Sequence, residues 1–561
     1  AIAMAITGCS MIPSSYLARV PTTGPITQGE QVTAQTEDQV IRVIARPPRP
    51  GMTPRQVVQG FLDASASFDD DHAVARQYLT PKAALGWDTN AGVEVYQGAL
   101  ALTDQGPAVA VTGELTGTIG ASGRYTIATP GSTLAHTFTL AKVQGEWRLD
   151  NVPPGLVLSQ SDIDRGYRSY DVYFFNPSFG ALVPDPRLIP VNLSGLATAL
   201  VRRLVAGPSE WLQPAVRTAF PEGVRLNIDS VPVDNGVAHV DLTTNALTAD
   251  DTTRTAMSQQ LIWTLRQLPE IRAVDVTAAG QPFLVPGLAN PEPRTAWPDM
   301  DPAGMPPGTV ALAARPSGVV ALRDSGVESV QGAAGTDQVP FVQLAVAPDG
   351  QSLAGISEDG AVWRGRLTAG APLIRLRPPA TPTGISFGPG GTVWVTDGTV
   401  LSVASDGGQQ AVTVSGLPRR ARLVKVIPSS DGTRALVLYR RAGHETLVLA
   451  RVVRGSGAAT PIRVDQPVLV SAGLVDVTDA SWSAPDTVAV LGSLSAGTTQ
   501  VISVSLANGA TQPLGTPGQA TEVAAASGQP ILVASGDGLV YEQSLGTWRE
   551  RARAVAPAYP G

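Results

Sequence analysis

The sequence predicts a multidomain protein in which two α+β domains are followed by an all-β propeller, and three observations carry that expectation. A turn tetrad recurs in the C-terminal part at Ala347-Pro348-Asp349-Gly350, Gly388-Pro389-Gly390-Gly391 and Ser429-Ser430-Asp431-Gly432, and more loosely at Ser483-Ala484-Pro485-Asp486 and Ala526-Ser527-Gly528-Gln529. Ahead of it lie two stretches that mix helical and strand periodicities. The 561 residues have room for three or four domains, and 58 glycines, 47 prolines and a charged fraction of only 16% describe a turn-rich, mostly β chain.

Residues 39–160 form the first α+β domain. Thr53-Pro54 is a helix start with Pro at the first helical position, and Val57, Val58, Phe61 and Leu62 follow at helical spacing. A second short helix is expected from Asp69-Asp70-Asp71 to Tyr78. Strands follow at 93–97, 107–118, 123–128, 133–143 and 145–151, with Leu134, His136, Phe138 and Leu140 alternating as in a half-buried strand. Helices followed by a curved antiparallel sheet, ending in Gly145-Glu146-Trp147-Arg148-Leu149, resemble the NTF2-like fold. That resemblance implies a pocket able to hold a small ligand.

Residues 165–287 form the second. Asp171-Val172-Tyr173-Phe174-Phe175 is a strand ended by Asn176-Pro177. Residues 194–206 are an amphipathic helix stopped by Gly207-Pro208. Strands are expected at 224–231 and 237–242 around the turn Asp234-Asn235-Gly236, then a helix over 250–268 and a strand over 272–278. The order β-α-β-β-α-β implies two helices on one face of a mixed sheet. With Leu204-Val205-Ala206-Gly207-Pro208, Phe220-Pro221-Glu222-Gly223-Val224, Ala238-His239-Val240-Asp241-Leu242 and Gln260-Leu261-Ile262-Trp263-Thr264-Leu265, this stretch resembles the GerMN domain. Residues 288–307 read as a Pro-rich linker.

From 308 to 561 the tetrads recur about every 40–55 residues, each flanked by apolar strands, which is the period of a β-propeller. A four-stranded blade cannot bury both faces alone, whereas stacked blades can. The stretch accommodates six blades, with five as the alternative. Closure is expected between strands of 309–330 and the last strand near Trp548.

The N-terminus carries the single cysteine. Residues 1–8 are small and apolar and too few to span a bilayer, which takes about 20 residues in a helix. They read as the remnant of a lipoprotein signal peptide, and Ile6-Thr7-Gly8-Cys9 resembles a bacterial lipobox. That resemblance implies cleavage between Gly8 and Cys9, a diacylglyceryl group on the Cys9 sulfur, and a chain held on the extracytoplasmic face of the cell membrane. Two acyl chains suffice for stable anchoring. Residues 9–38 are then a lipidated Cys and a flexible tether spanning about 30 Å as a coil.

Several chemistries are weighed and set aside. A net charge of −7 with no dense basic run argues against nucleic acid. None of the three lysines, Lys82, Lys142 and Lys425, follows a glycine, so there is no Walker A loop. Four His and one Cys build neither a Cys/His zinc site nor an intrachain disulfide. Gly384-Ile385-Ser386-Phe387-Gly388 matches G-x-S-x-G but is followed by a turn and a strand, where a nucleophile elbow needs a helix. Asp69-Asp70-Asp71-His72 reads as a helix N-terminus before a metal site. His239 reads as a packed or half-exposed strand residue, His136 as one of an apolar row with a pocket lining as the alternative, and the propeller Asp-Gly pairs as turn residues before calcium ligands. No catalytic residue, metal or cofactor is assigned beyond the covalent lipid at Cys9.

Lipobox, NTF2-like segment, GerMN segment and propeller, in this order, are similar to the lipoprotein LpqB family of high-GC Gram-positive bacteria. The Arg-over-Lys bias agrees with such a genome. The resemblance implies a non-catalytic accessory protein that meets the extracytoplasmic part of a sensor histidine kinase of the MtrA–MtrB type in cell-envelope and division control. Two alternatives stand beside it: a propeller-borne envelope hydrolase or lactonase, and a carrier or sensor of a small ligand in the NTF2-like pocket.

Overall fold

The computed structural model describes residues 45–561 except 69, 192–194, 377–380, 406–407, 455–461 and 496. Gly8, Cys9 and the tether lie outside the described residues. The described residues all belong to one compact unit.

In the first domain, helix Pro54–Ser65 opens on a capping box. The Thr53 hydroxyl accepts from the Gln56 backbone, and the Gln56 side chain accepts from Thr53 N–H. Its buried Val57, Val58, Phe61 and Leu62 pack on a sheet ordered Glu146–Asn151, Thr133–Val143, Ala108–Gly120, Gly92–Gln105, Leu156–Ser159. The last of these runs parallel to its neighbour. The second helix is only Ala73–Arg76, shorter than expected, because Asp70, Asp71 and His72 all take left-handed φ (47°, 51°, 58°). Residues in that region cannot enter a right-handed helix. The turn buries the His72 ring between Phe68 and Trp87, so the acids are not a helix N-terminus. Asp69 lies outside the described residues.

The second domain departs further from expectation. Strand Tyr167–Phe175 does not join the main sheet. It pairs antiparallel with Leu182–Pro190, a strand the sequence hides behind Pro184, Pro186 and Pro190. These prolines share one parity, and proline suits an edge because it has no N–H to pair. Leu188, of the same parity, donates its N–H to the Gly123 carbonyl of the first domain (2.8 Å). The main sheet runs Gln281–Pro282, Ala273–Ala278, Val237–Leu242, Val233–Asp234, with a parallel pairing at its centre. Helices Leu196–Ala206 and Asp251–Leu265 supply much of its core. The strand expected over 224–231 is irregular, with one bridge from Leu226 to Leu242. Part of the expected linker belongs to this domain. Glu292–Pro293 pairs with the sheet, Glu292 is buried against the Ser258 hydroxyl, and Trp297 Nε1 donates to Ser258 Oγ (2.9 Å).

The propeller has six four-stranded blades. Inner strands are Val555–Ala558 for blade 1, Phe341–Val346, Gly384–Gly388, Arg422–Pro428, Leu474–Ala484 and Ala520–Ala524 for blades 2 to 6, and the tetrads sit at the ends of the last five. The ring closes where Val555–Ala558 pairs with Ala311–Arg315; the strand holding Trp548 is the outer strand of blade 6, one strand earlier than expected. One apolar cluster lies between each pair of adjacent blades.

An inner strand has neighbours on one side only, so its other edge leaves backbone groups to satisfy. Polar side chains of the preceding blade meet them. Gln343 Nε2 donates to Thr383 O (3.2 Å), Ser386 Oγ to Val426 O (2.6 Å), and Ser481 Oγ to Ala525 O (3.1 Å). Val523 N–H donates to Asp479 (3.0 Å), which also takes the Lys425 ammonium at 2.8 Å. Burial opposes the charge on Lys425, but the Asp479 carboxylate outweighs it and holds that pKa above its ordinary value. Asp479→Ala takes the hydrogen-bonded partner from the half-buried Lys425 ammonium, leaving Glu522 near it, and leaves the Val523 N–H without an acceptor. The expected loss is about 1–3 kcal/mol, read as a lowered denaturant midpoint of the whole chain; an unchanged midpoint would remove this bond from the account of the ring.

Candidate functional site

The site builds up where the three domains meet, around Trp211. Gly207 ends helix Leu196–Ala206 at φ 96°, and the chain turns through Ser209 into a loop on the propeller side of the second domain. Trp211 Nε1 donates to Gln466 O in blade 4 (2.8 Å), and its carbonyl accepts from Arg451 Nη1 (2.7 Å). Its ring packs against apolar residues of the second domain and of blades 4 and 5. The Arg124 guanidinium of the first domain lies 4.2 Å from the ring centroid. One residue therefore touches all three domains.

Charged groups converge beside it. Asp185 and Arg187 of strand Leu182–Pro190 are both fully buried and bonded at 2.6 Å. Ser209 N–H (2.7 Å) and hydroxyl (2.9 Å) donate to Asp185, and Arg187 Nη1 donates to Ser122 O of the first domain (3.0 Å). On the propeller side Arg434 holds Asp431 at 2.7 Å, and Asn176 Nδ2 of the second domain donates to Asp431 O (3.3 Å). Burial lowers the pKa of Arg124 to about 10, against the attraction of Asp185.

Asp171 is the strained member. Its Oδ2 accepts from the Tyr173 hydroxyl (3.4 Å), and its Oδ1 is buried with no partner. Burial first, then Asp486 of blade 5, raises its pKa to about 7. A carboxyl raised in the folded state binds its proton more tightly there than in the unfolded chain, so stability falls as pH rises from about 4 to about 7 and then levels. Asp171→Asn should match the parent near pH 4 and exceed it at pH 8 by on the order of 2–4 kcal/mol, by thermal unfolding across pH. A variant less stable than the parent at pH 8 would mean that the ionised carboxylate holds the junction.

The residues singled out in the sequence do not gather here. Ser386 is buried in the inner strand of blade 3, with its hydroxyl given to Val426 O. His136 bonds Glu94 within the first domain, and His239 Nδ1 lies 3.2 Å from Asp275 across neighbouring strands. Asp349, Asp397 and Asp431 accept backbone N–H groups of their own turns. A cleft of about 330 Å³ opens between first and second domains, lined by Phe68, His72, Thr89, Tyr167, Leu188 and Arg203 among others.

Sequence reading missed Trp211, whose only local signal is an aromatic side chain in a polar loop. It also missed the cluster of Lys425, Asp479 and Glu522. A usable signal existed there, since these residues stand four positions before the tetrads of blades 4, 5 and 6. Burial, then repulsion from Asp479, pushes the Glu522 carboxyl up to about 8.

Comparisons with known proteins follow the same three-part division. Residues 47–164 match the model described as "Lipoprotein LpqB, N-terminal domain", 171–283 that described as "Sporulation and spore germination", and 317–560 that described as "Lipoprotein LpqB beta-propeller domain". The chain is 30% identical to lipoprotein LpqB of Thermobifida fusca, over 99% of this chain and 98% of the relative. It belongs to the lipoprotein LpqB family. Lipoprotein LpqB of Cutibacterium acnes is 28% identical, over 99% of this chain and 97% of its own length. Among solved structures, TolB from Acinetobacter baumannii is 16% identical with a TM-score of 0.35, covering 46% of this chain and 68% of that one. The tandem GerMN domains of GerM from Bacillus subtilis are 22% identical with a TM-score of 0.18, covering 21% and 42%. Among the described residues no helix of this family member is long and apolar enough to cross a membrane.

Proposed function

We propose that the protein is a lipid-anchored accessory factor on the extracytoplasmic face of the cell membrane. It binds and modulates a two-component sensor kinase of the MtrA–MtrB type and performs no catalysis. The observation that carries the reading is the joining of three domains at Trp211, which turns three small modules into one body with fixed outward surfaces. Membership of a lipoprotein family supports the anchor. The lipid on Cys9 confines protein and partner to one membrane, which raises their effective concentration without a new contact. Several polar side chains of the inner strands are engaged in bonds between blades: Lys425 with Asp479, and Ser386 and Ser481 with the next blade's backbone.

The test is co-purification from detergent-solubilised membranes with the extracytoplasmic domain of the sensor kinase. Wild-type protein should retain that domain and carry a diacylglyceryl mass on Cys9. Cys9→Ala should move the protein to the soluble fraction and weaken its effect on kinase output while leaving affinity for the isolated kinase domain unchanged. A Cys9→Ala protein that stays in the membrane with full effect contradicts the anchor, and a wild-type protein that does not retain the kinase domain contradicts the partner.

A further inference from the structure

The propeller face turned away from the second domain carries a charge asymmetry that the repeat does not explain. In blades 2, 3 and 6 the turn between second and third strands holds an aspartate, Asp359, Asp397 or Asp537, whose Oδ1 accepts a backbone N–H of the same turn (3.2, 2.9 and 3.2 Å). Blades 1, 4 and 5 lack this aspartate, and among them blade 4 has the turn richest in basic residues. Its corresponding turn is Arg440-Arg441-Ala442-Gly443-His444, with Ala442 at a left-handed φ of 52°. The loop that leads into its inner strand adds Arg419, Arg420 and Arg422, with Arg420 at φ 65°.

These side chains form one lip. Arg422 stands directly opposite Arg440 across the strand pair, and Arg441 opposite His444. The Arg422–Arg440 pair places like charges across a ladder, which is destabilising. Glu445 offsets one of them by accepting from Arg440 Nε (2.6 Å), and His444 lies 3.1 Å from Asp476. Arg419, Arg420, Arg422 and Arg441 are exposed, and among the described residues no acidic side chain pairs with them. The chain as a whole is acidic, at −7. The lip is also free of the domain seam, because the tetrad at the other end of the same inner strand is what meets Asn176.

We propose that the arginine lip of blade 4 is the docking surface for an acidic segment of a partner protein. This deepens the reading above and rests on it, by naming a face and the chemistry of what it meets. Guanidinium groups bind carboxylates in paired, directional hydrogen bonds, so unpaired arginines at close quarters suit an acidic segment. A flat anionic bilayer fits less well. It would face Asp359, Asp397 and Asp537 on the same side of the ring, whereas a narrow segment can lie on the basic sector alone.

The experiment compares two triple variants of equal net charge in the full chain. One is Arg419→Glu, Arg422→Glu and Arg441→Glu; the other reverses the exposed Arg55, Arg225 and Arg549 elsewhere. Poly-L-glutamate and phosphatidylglycerol vesicles are the probes, with the kinase extracytoplasmic domain as a third arm. The lip variant should bind poly-L-glutamate and the kinase domain about tenfold more weakly, the control variant should match wild type, and wild-type binding should fall with salt. Equal poly-L-glutamate binding by the two variants overturns the proposal. So does a lip variant that loses vesicle binding alone, which would assign the lip to a membrane. If the lip variant keeps full kinase-domain binding while wild type also binds, the lip proposal falls and the accessory reading stands. If wild type binds poly-L-glutamate through the lip but not the kinase domain, the lip stands and the kinase reading falls.

Discussion

Three domains converge on one indole. Trp211 gives its N–H and its carbonyl to the propeller, its face to an arginine of the first domain, and its apolar edge to the cores on either side. Each contact alone is modest: a hydrogen bond contributes about 1 kcal/mol and a cation–π contact about 0.5–2. Their coincidence on one rigid side chain makes them act together. Domain contacts within a chain are often polar and permit motion. Here the seam also buries Asp185, Arg187 and Arg124, and separating the domains would have to rehydrate and re-pair all of them at once.

The propeller is built under a similar constraint. Six inner strands leave backbone groups unpaired toward the centre, and polar side chains reach across to them, three of them between blades 3 and 4, where Thr383, Ser386 and Thr396 donate to the Leu423, Val426 and Val424 carbonyls. Between blades 5 and 6 the bonds are doubled by Asp479 and Ser481. The polar groups named here are committed to bonds between blades. The hydroxyl of Ser386, in the G-x-S-x-G match, is one of these bonded groups.

Periodicity made much of this readable. Thr53-Pro54 with Val57, Val58, Phe61 and Leu62 announced a capped helix, and the recurring tetrads announced blades, because both signals are local. Six blades rather than five became clear only from the pairing of Val555–Ala558 with Ala311–Arg315, a contact between the two ends of the ring. Strand Leu182–Pro190 was hidden by prolines that suit it to an edge, and the left-handed run Asp70–His72 by a tertiary demand to bury one imidazole. Glu292 and Trp297 looked like linker because their partners, Ser258 and Trp263, are distant in sequence. Trp211 was illegible for the same reason: its partners come from residues 124, 451 and 466.

With the seam closed at Trp211, every surface of the described domains keeps a fixed position relative to the others. The measurement that addresses this most directly is a spin-label distance distribution in a Cys9→Ala background. One label would stand at Glu222 in the second domain and one at Asp324 in blade 1, both exposed. A single narrow distance that broadens in Trp211→Ala is the predicted result. A broad distribution already present with Trp211 intact would contradict the account, because the domains would then be beads on a string.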